Sequence, residues 1–90
     1  MSAVERAVKA AKAWIKTYTE ERDLDDPTNA EGPAPFVSNT YGDFLEVSHV
    51  PVHDVDHLVW FVESEADVCI RTRVPEDRWF TKWTLCIRES

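Results

Sequence analysis

Five consecutive residues, His53-Asp54-Val55-Asp56-His57, bring two imidazoles and two carboxylates together, with His49 a short way upstream. Those are ligand types that zinc takes, and a turn can bring both rings near one point. The spacing matches no closed structural site and no second ligand cluster follows, so turn-forming Asp beside strand-end His is the simpler reading. No metal and no cofactor are expected. Cys69 and Cys86 are too few for a disulfide framework, and neither has a His placed as a base, so a catalytic thiol is not expected. With two glycines and no glycine-rich loop, there is little room for a pocket where nucleophile, base and oxyanion donors converge. No catalytic residues are assigned, and an enzyme is not the favoured reading.

Arg71, Arg73 and Lys82 beside Phe61 and Phe80 have the composition of a platform on which single-stranded nucleic acid stacks. The charge layout argues against that partner. Residues 1–19 carry +3, residues 20–67 carry −12 and residues 68–90 carry +2, for a net charge of −7. An acidic middle repels nucleic acid and steers basic proteins toward the chain. Asp54, Asp56, Glu63, Glu65 and Asp67 are the candidate acidic contacts. No apolar signal segment or transmembrane run is present, which predicts a cytoplasmic protein with reduced thiols and no membrane partner.

These residues must be positioned by a single domain spanning residues 1–90 with one small core. Ser2 and Glu5 have capping-box spacing, and Val4, Ala7, Val8, Ala11, Trp14, Ile15 and Tyr18 recur at helical steps, which predicts a helix over 3–23. Residues 25–35 hold three prolines, one glycine and no apolar period, which predicts a flexible loop. Antiparallel strands are expected over residues 36–88, with Tyr41-Gly42-Asp43 as a turn. A bulge is expected near Ser48, where the apolar residues change parity, and Pro51 suits an edge.

The unbroken apolar run Leu58 to Val62 within HLVWFVE reads as the central strand of the sheet, which puts Trp60 in the core. Hairpins at Ser64 to Ala66 and at Pro75-Glu76-Asp77-Arg78 would set Val62 against Val68, Trp60 against Ile70, Val74 against Trp79 and Ile70 against Trp83. That register turns Val59, Phe61, Cys69, Arg71, Arg73, Phe80, Lys82, Thr84 and Cys86 away from the helix. Phe61, Arg71, Arg73, Phe80 and Lys82 then form an outer face on which aromatics mix with bases, as at interfaces.

The expected class is α+β, one N-terminal helix packed on a four- to five-stranded antiparallel meander. This order of elements looks like the cystatin-like layout. The resemblance is of architecture alone: the Gln-x-Val-x-Gly inhibitory loop of cystatins is absent, so protease inhibition is not implied. The expected function is a small acidic, non-enzymatic interaction domain, an inhibitor or adaptor that binds a basic protein or self-associates through its outer sheet face. Phage inhibitors of host defence, DNA mimics and immunity proteins are of this kind. The alternative is a ligand-binding or catalytic domain with a pocket between helix and sheet lined by Trp14, Trp60, Trp79 or Trp83.

Overall fold

The computed structural model describes residues 1–21, 34–78 and 81–90. Its first element, α1 (Ala3–Glu21), starts where the sequence predicts. Ser2 Oγ accepts the Glu5 backbone N–H at 3.1 Å, which satisfies one of the free donors at the helix start. The anticipated stripe is the buried one: Ala7 and Ala11 are fully excluded from solvent, Trp14 nearly so, and Val4, Val8, Ile15 and Tyr18 pack against the core. Residues 22 and 23 of the expected helix, and residues 25–33 of the expected loop, lie outside the described residues.

A hairpin follows, β1 (Phe36–Tyr41) and β2 (Phe44–Ser48), joined through Gly42 and Asp43. Gly42 has φ +56°, a left-handed conformation that glycine adopts without a Cβ penalty. The chain then leaves the sheet. His49 takes φ 61°, Val50 is buried, and Pro51 is extended at φ −61°, ψ 151° as the residue before α2 (Val52–Ala66). The parity change therefore marks no bulge near Ser48. It marks the end of β2 and the start of a helix.

The HLVWFVE run is thus the middle of α2 and not a central strand. Val55, Leu58, Val62 and Ala66 recur at steps of three and four and are buried, while Val59 and Phe61 are half-buried beside them. Trp60 points away from that stripe and is 61% exposed, so it is not a core residue. Asp54 lies in the first turn, where a carboxylate is favoured by the free N–H groups and the helix dipole. Asp67 ends the helix in the left-handed region at φ 54°, ψ 53°, which Asp tolerates better than most residues.

From Asp67 the chain enters β3 (Val68–Pro75) and returns as β4 (Trp83–Glu89). The four strands are antiparallel in the order β1-β2-β4-β3, so β4 lies between strands that are not both its sequence neighbours. The result is an α+β fold with two helices, and the expected one-helix meander of the cystatin-like order is replaced by a sheet whose strands are split by α2. Both helices lie on one face. Leu45, Val47, Val68, Trp83, Leu85 and Ile87 point toward them and form one core with the helix stripes.

The predicted register is also corrected. Ile70 pairs with Ile87, Val74 with Thr84 and Pro75 with Trp83, and irregularities fall between Val37 and Asn39 and between Ile70 and Thr72. The second of these reverses the parity of β3 beyond Arg71. Thr72 and Val74 turn away from the helices, while Arg73 turns toward them and pairs with Asp56 of α2. Trp79 and its expected pairing lie outside the described residues.

Arg6 ties three elements together: its Nε donates to Ala66 O at the end of α2 (3.0 Å) and one Nη to Glu89 Oε2 of β4 (2.8 Å). The hydrogen bond to Glu89 raises the guanidinium pKa further, with smaller support from the charges of Glu89 and Asp67 and some opposition from burial. No described helix is long and apolar enough to cross a membrane.

The placement of α2 makes opposite demands on neighbouring side chains. Leu58→Ala should lose about 2–5 kcal/mol of stability, whereas Trp60→Ala should lose less than about 1 kcal/mol. Urea unfolding followed by far-UV circular dichroism checks both. A central strand would have made Trp60 the costlier site.

Candidate functional site

The face of the sheet turned away from the helices collects what the fold leaves unburied. Strand alternation places Phe36, Tyr41, Phe44, Glu46, Thr72, Val74, Thr84, Cys86 and Arg88 there. Phe36, Tyr41, Phe44 and Val74 belong to the few large apolar side chains that are exposed among the described residues, at 47%, 49%, 37% and 48%. Tyr41 and Phe44 close the two-residue hairpin as a pair, with ring centroids 5.4 Å apart and planes 28° apart. Phe44 pairs in turn with Cys86, and Cys86 with Thr72, so an aromatic and small-residue row crosses all four strands.

Ion pairs stand on both sides of that row. Lys82 Nζ lies 3.5 Å from Glu46 Oε1, and Arg88 pairs with Asp43 at the hairpin turn. The charges at the edges of the face are therefore paired, and Tyr41, Phe44 and Cys86 run between them. Thr84, in the middle, is 7% exposed, and its hydroxyl has no hydrogen-bond partner among the described residues.

A second cluster joins α1 and α2. Trp14 stacks on Tyr18 (4.7 Å) and donates its indole N–H to His57 Nδ1 at 2.9 Å. That bond requires Nδ1 to be the unprotonated nitrogen. His57 stacks on exposed Trp60 (5.8 Å, 19°). Tyr18 donates its hydroxyl to Asp54 Oδ2 at 2.7 Å, and His53 Nε2 lies 3.4 Å from the same oxygen. The His and Asp of the five-residue cluster thus sit on the first two turns of a helix, each directed to a different neighbour. Among the described residues no group of three or more His, Cys, Asp or Glu is arranged to hold a metal ion.

The remaining residues singled out from the sequence disperse. Phe61 is half-buried on α2 and borders a cleft with Arg6 and Ala10 of α1, so it is not on the outer sheet face, and Val59 packs against the core from the same helix. Arg71 is exposed at the β3 irregularity, Arg73 lies on the helix side, and Lys82 is on the outer side. Phe80 lies outside the described residues. Both cysteines are free thiols; Cys69 pairs with Arg88, and Cys86 pairs with Phe44 and Thr72.

The acidic set does not gather on one surface. At about 100° per residue, Asp54 and Glu65 fall on one side of α2 and Asp56 and Glu63 on the other. Most are also engaged internally. Asp54 accepts from Tyr18, Asp56 pairs with Arg73, Glu63 Oε2 accepts the Ile70 N–H at 3.0 Å, and Asp67 accepts from Ser90 Oγ.

Phe36, Tyr41 and Phe44 are the exposed aromatics of the outer face, which sequence reasoning did not assign to it. The available signal was local: a two-residue turn after Tyr41 puts Tyr41 and Phe44 opposite each other on one face. Comparisons with models of protein families, with curated proteins and with solved structures find no match to this chain.

The unpartnered hydroxyl generates a stability test. Thr84→Val removes a buried polar group that makes no bond among the described residues and keeps a β-branched shape in the strand, and should raise stability by about 1 kcal/mol in urea unfolding.

Proposed function

We propose that this chain is a non-enzymatic interaction domain, an inhibitor or adaptor, that holds a basic protein partner against the outer face of its sheet. The observation that carries this reading is the exposed row of Tyr41 and Phe44, with Phe36 and Val74 beside it, on the one face that neither helix covers. Aromatic side chains bring large contact area at low conformational cost and dominate the energetics of interfaces. The net charge of −7 acts at longer range. It steers a basic partner to the domain, while contact is made by the apolar row and its flanking ion pairs. A cytoplasmic setting belongs to the same proposal.

The alternative, a ligand pocket walled by tryptophans between helix and sheet, has less support. Trp14 and Trp83 are buried in the core, and Trp83 donates its indole N–H to Val50 O at 2.8 Å, so both serve packing. Trp60 lies on the outer side of α2.

The test compares the tagged protein with a Tyr41→Ser/Phe44→Ser variant in pull-downs from its source cells, washed at low and high salt, with light scattering of both proteins. A stoichiometric basic protein should be retained by the parent and lost from the variant, with melting temperatures within a few degrees of each other. A concentration-dependent dimer that the variant abolishes would replace the foreign partner by a second copy. Capture that survives the variant but not salt would move the contact to the acidic residues.

A further inference from the structure

A second surface, with different chemistry, lies where the first turns of α1 run beside the free edge of β1. β1 is the last strand in the sheet order, so among the described residues one of its edges has no neighbouring strand. Between that edge and the helix runs an open groove of about 690 Å³, walled by Val4, Val8, Lys9 and Lys12 on one side and by residues 37–40 on the other. Val4, Val8 and Val37 pack against the core yet remain only partly buried, which gives the groove an apolar floor.

The strand side turns backbone groups toward this edge. Tyr41 and Phe44 flank a two-residue turn and so form a hydrogen-bonded pair, and alternation directs the N–H and C=O of Thr40 to the free edge. The Thr40 N–H is met there by Asn39 Oδ1 at 2.9 Å, a local side chain that an incoming strand can displace. Free strand edges are where extended segments add to sheets.

The helix side is basic within an acidic chain. Residues 1–19 carry +3 while the whole carries −7, and Lys9 and Lys12 are exposed one helical turn apart on the groove wall. Glu5 is the acid on the same wall, which leaves a positive surplus. The dimensions agree: α1 from Val4 to Lys12 advances about 12 Å, and four extended residues span about 13 Å. Alternate side chains of an extended segment are about 7 Å apart on one side, within reach of two flexible lysines a turn apart.

We propose that this groove binds an extended acidic peptide segment of a protein partner, its apolar residues on Val4, Val8 and Val37 and its alternate carboxylates on Lys9 and Lys12. The site is separate from the outer sheet face and does not depend on it.

The test is fluorescence anisotropy with a fluorescein-labelled eight-residue peptide of alternating Val and Glu, against a matched peptide of alternating Val and Lys. The Val-Glu peptide should bind the full chain at least about tenfold more tightly than the Val-Lys peptide. Lys9→Glu/Lys12→Glu, two exposed changes whose folding is verified by circular dichroism and melting, should weaken Val-Glu binding by about tenfold or more. Phe44→Ser should leave it unchanged, which separates this site from the outer face. Equal binding of the two peptides, indifference to the lysine reversal, or no binding up to about 1 mM peptide overturns the proposal.

Discussion

β4 has strand partners on both edges, and its alternation divides the molecule. Trp83, Leu85 and Ile87 point to the helices and are almost wholly excluded from water, while Thr84 and Cys86 point the other way. The same strand fixes where the chain turns. Trp83 donates to Val50 O, and the Val50 N–H donates to Thr81 O at 2.9 Å, so the segment leaving β2 is held against the start of β4. Val50 is itself fully buried, which anchors the point from which Pro51 launches α2. At the other end the Ile87 N–H donates to Asp43 O at 2.8 Å and binds the hairpin turn. With both ends of β4 tied, the positions of α2 and of the β1–β2 hairpin follow from it.

α1, the α+β class and the Tyr41-Gly42-Asp43 turn were legible in the sequence because each rests on a local rule. The apolar stripe of α1 is regular over five turns, and its Ser2 cap lies beside it. α2 was not legible for a physical reason. Its exposed side carries Trp60, an apolar residue at a position where a surface helix ordinarily has a polar one, and this turns an amphipathic pattern into the continuous run Leu58 to Val62. A short apolar run has no period that separates a buried strand from a helix. A window widened to residues 51–67 shows Val55, Leu58, Val62 and Ala66 at helical steps, preceded by Pro51 and followed by Asp67, which restores the helical reading. The outer face failed with it: Phe61 moved to the helix, and a one-residue irregularity at Arg71 exchanged Arg73 for Val74.

Charge shows why proximity along the chain is a poor guide to proximity in space. Residues 20–67 hold −12, yet the acids of α2 point to opposite sides of the helix, and several hold structure together. Asp56 balances the arginine that the β3 irregularity turned inward, and Glu63 receives the backbone N–H of Ile70 just before that irregularity. Each carboxylate so engaged is less free to meet a partner. The long-range field survives this, because it depends on net charge and not on which oxygen is bonded.

Among the described residues the two helices cover one face of the four-stranded sheet. For the other face the informative feature is what occupies it. A face evolved only for contact with water would place polar residues opposite one another along its rows. Here Tyr41 stacks on Phe44, Phe44 meets Cys86, and the charged residues on either side are paired with each other. Pairing Lys82 with Glu46 and Arg88 with Asp43 lowers the desolvation that a partner would have to overcome at the edges, while the apolar row between them gains from being covered. The opposite economy holds in the α1–β1 groove, where Lys9 and Lys12 stay exposed beside an apolar floor and so favour a ligand that brings its own negative charge.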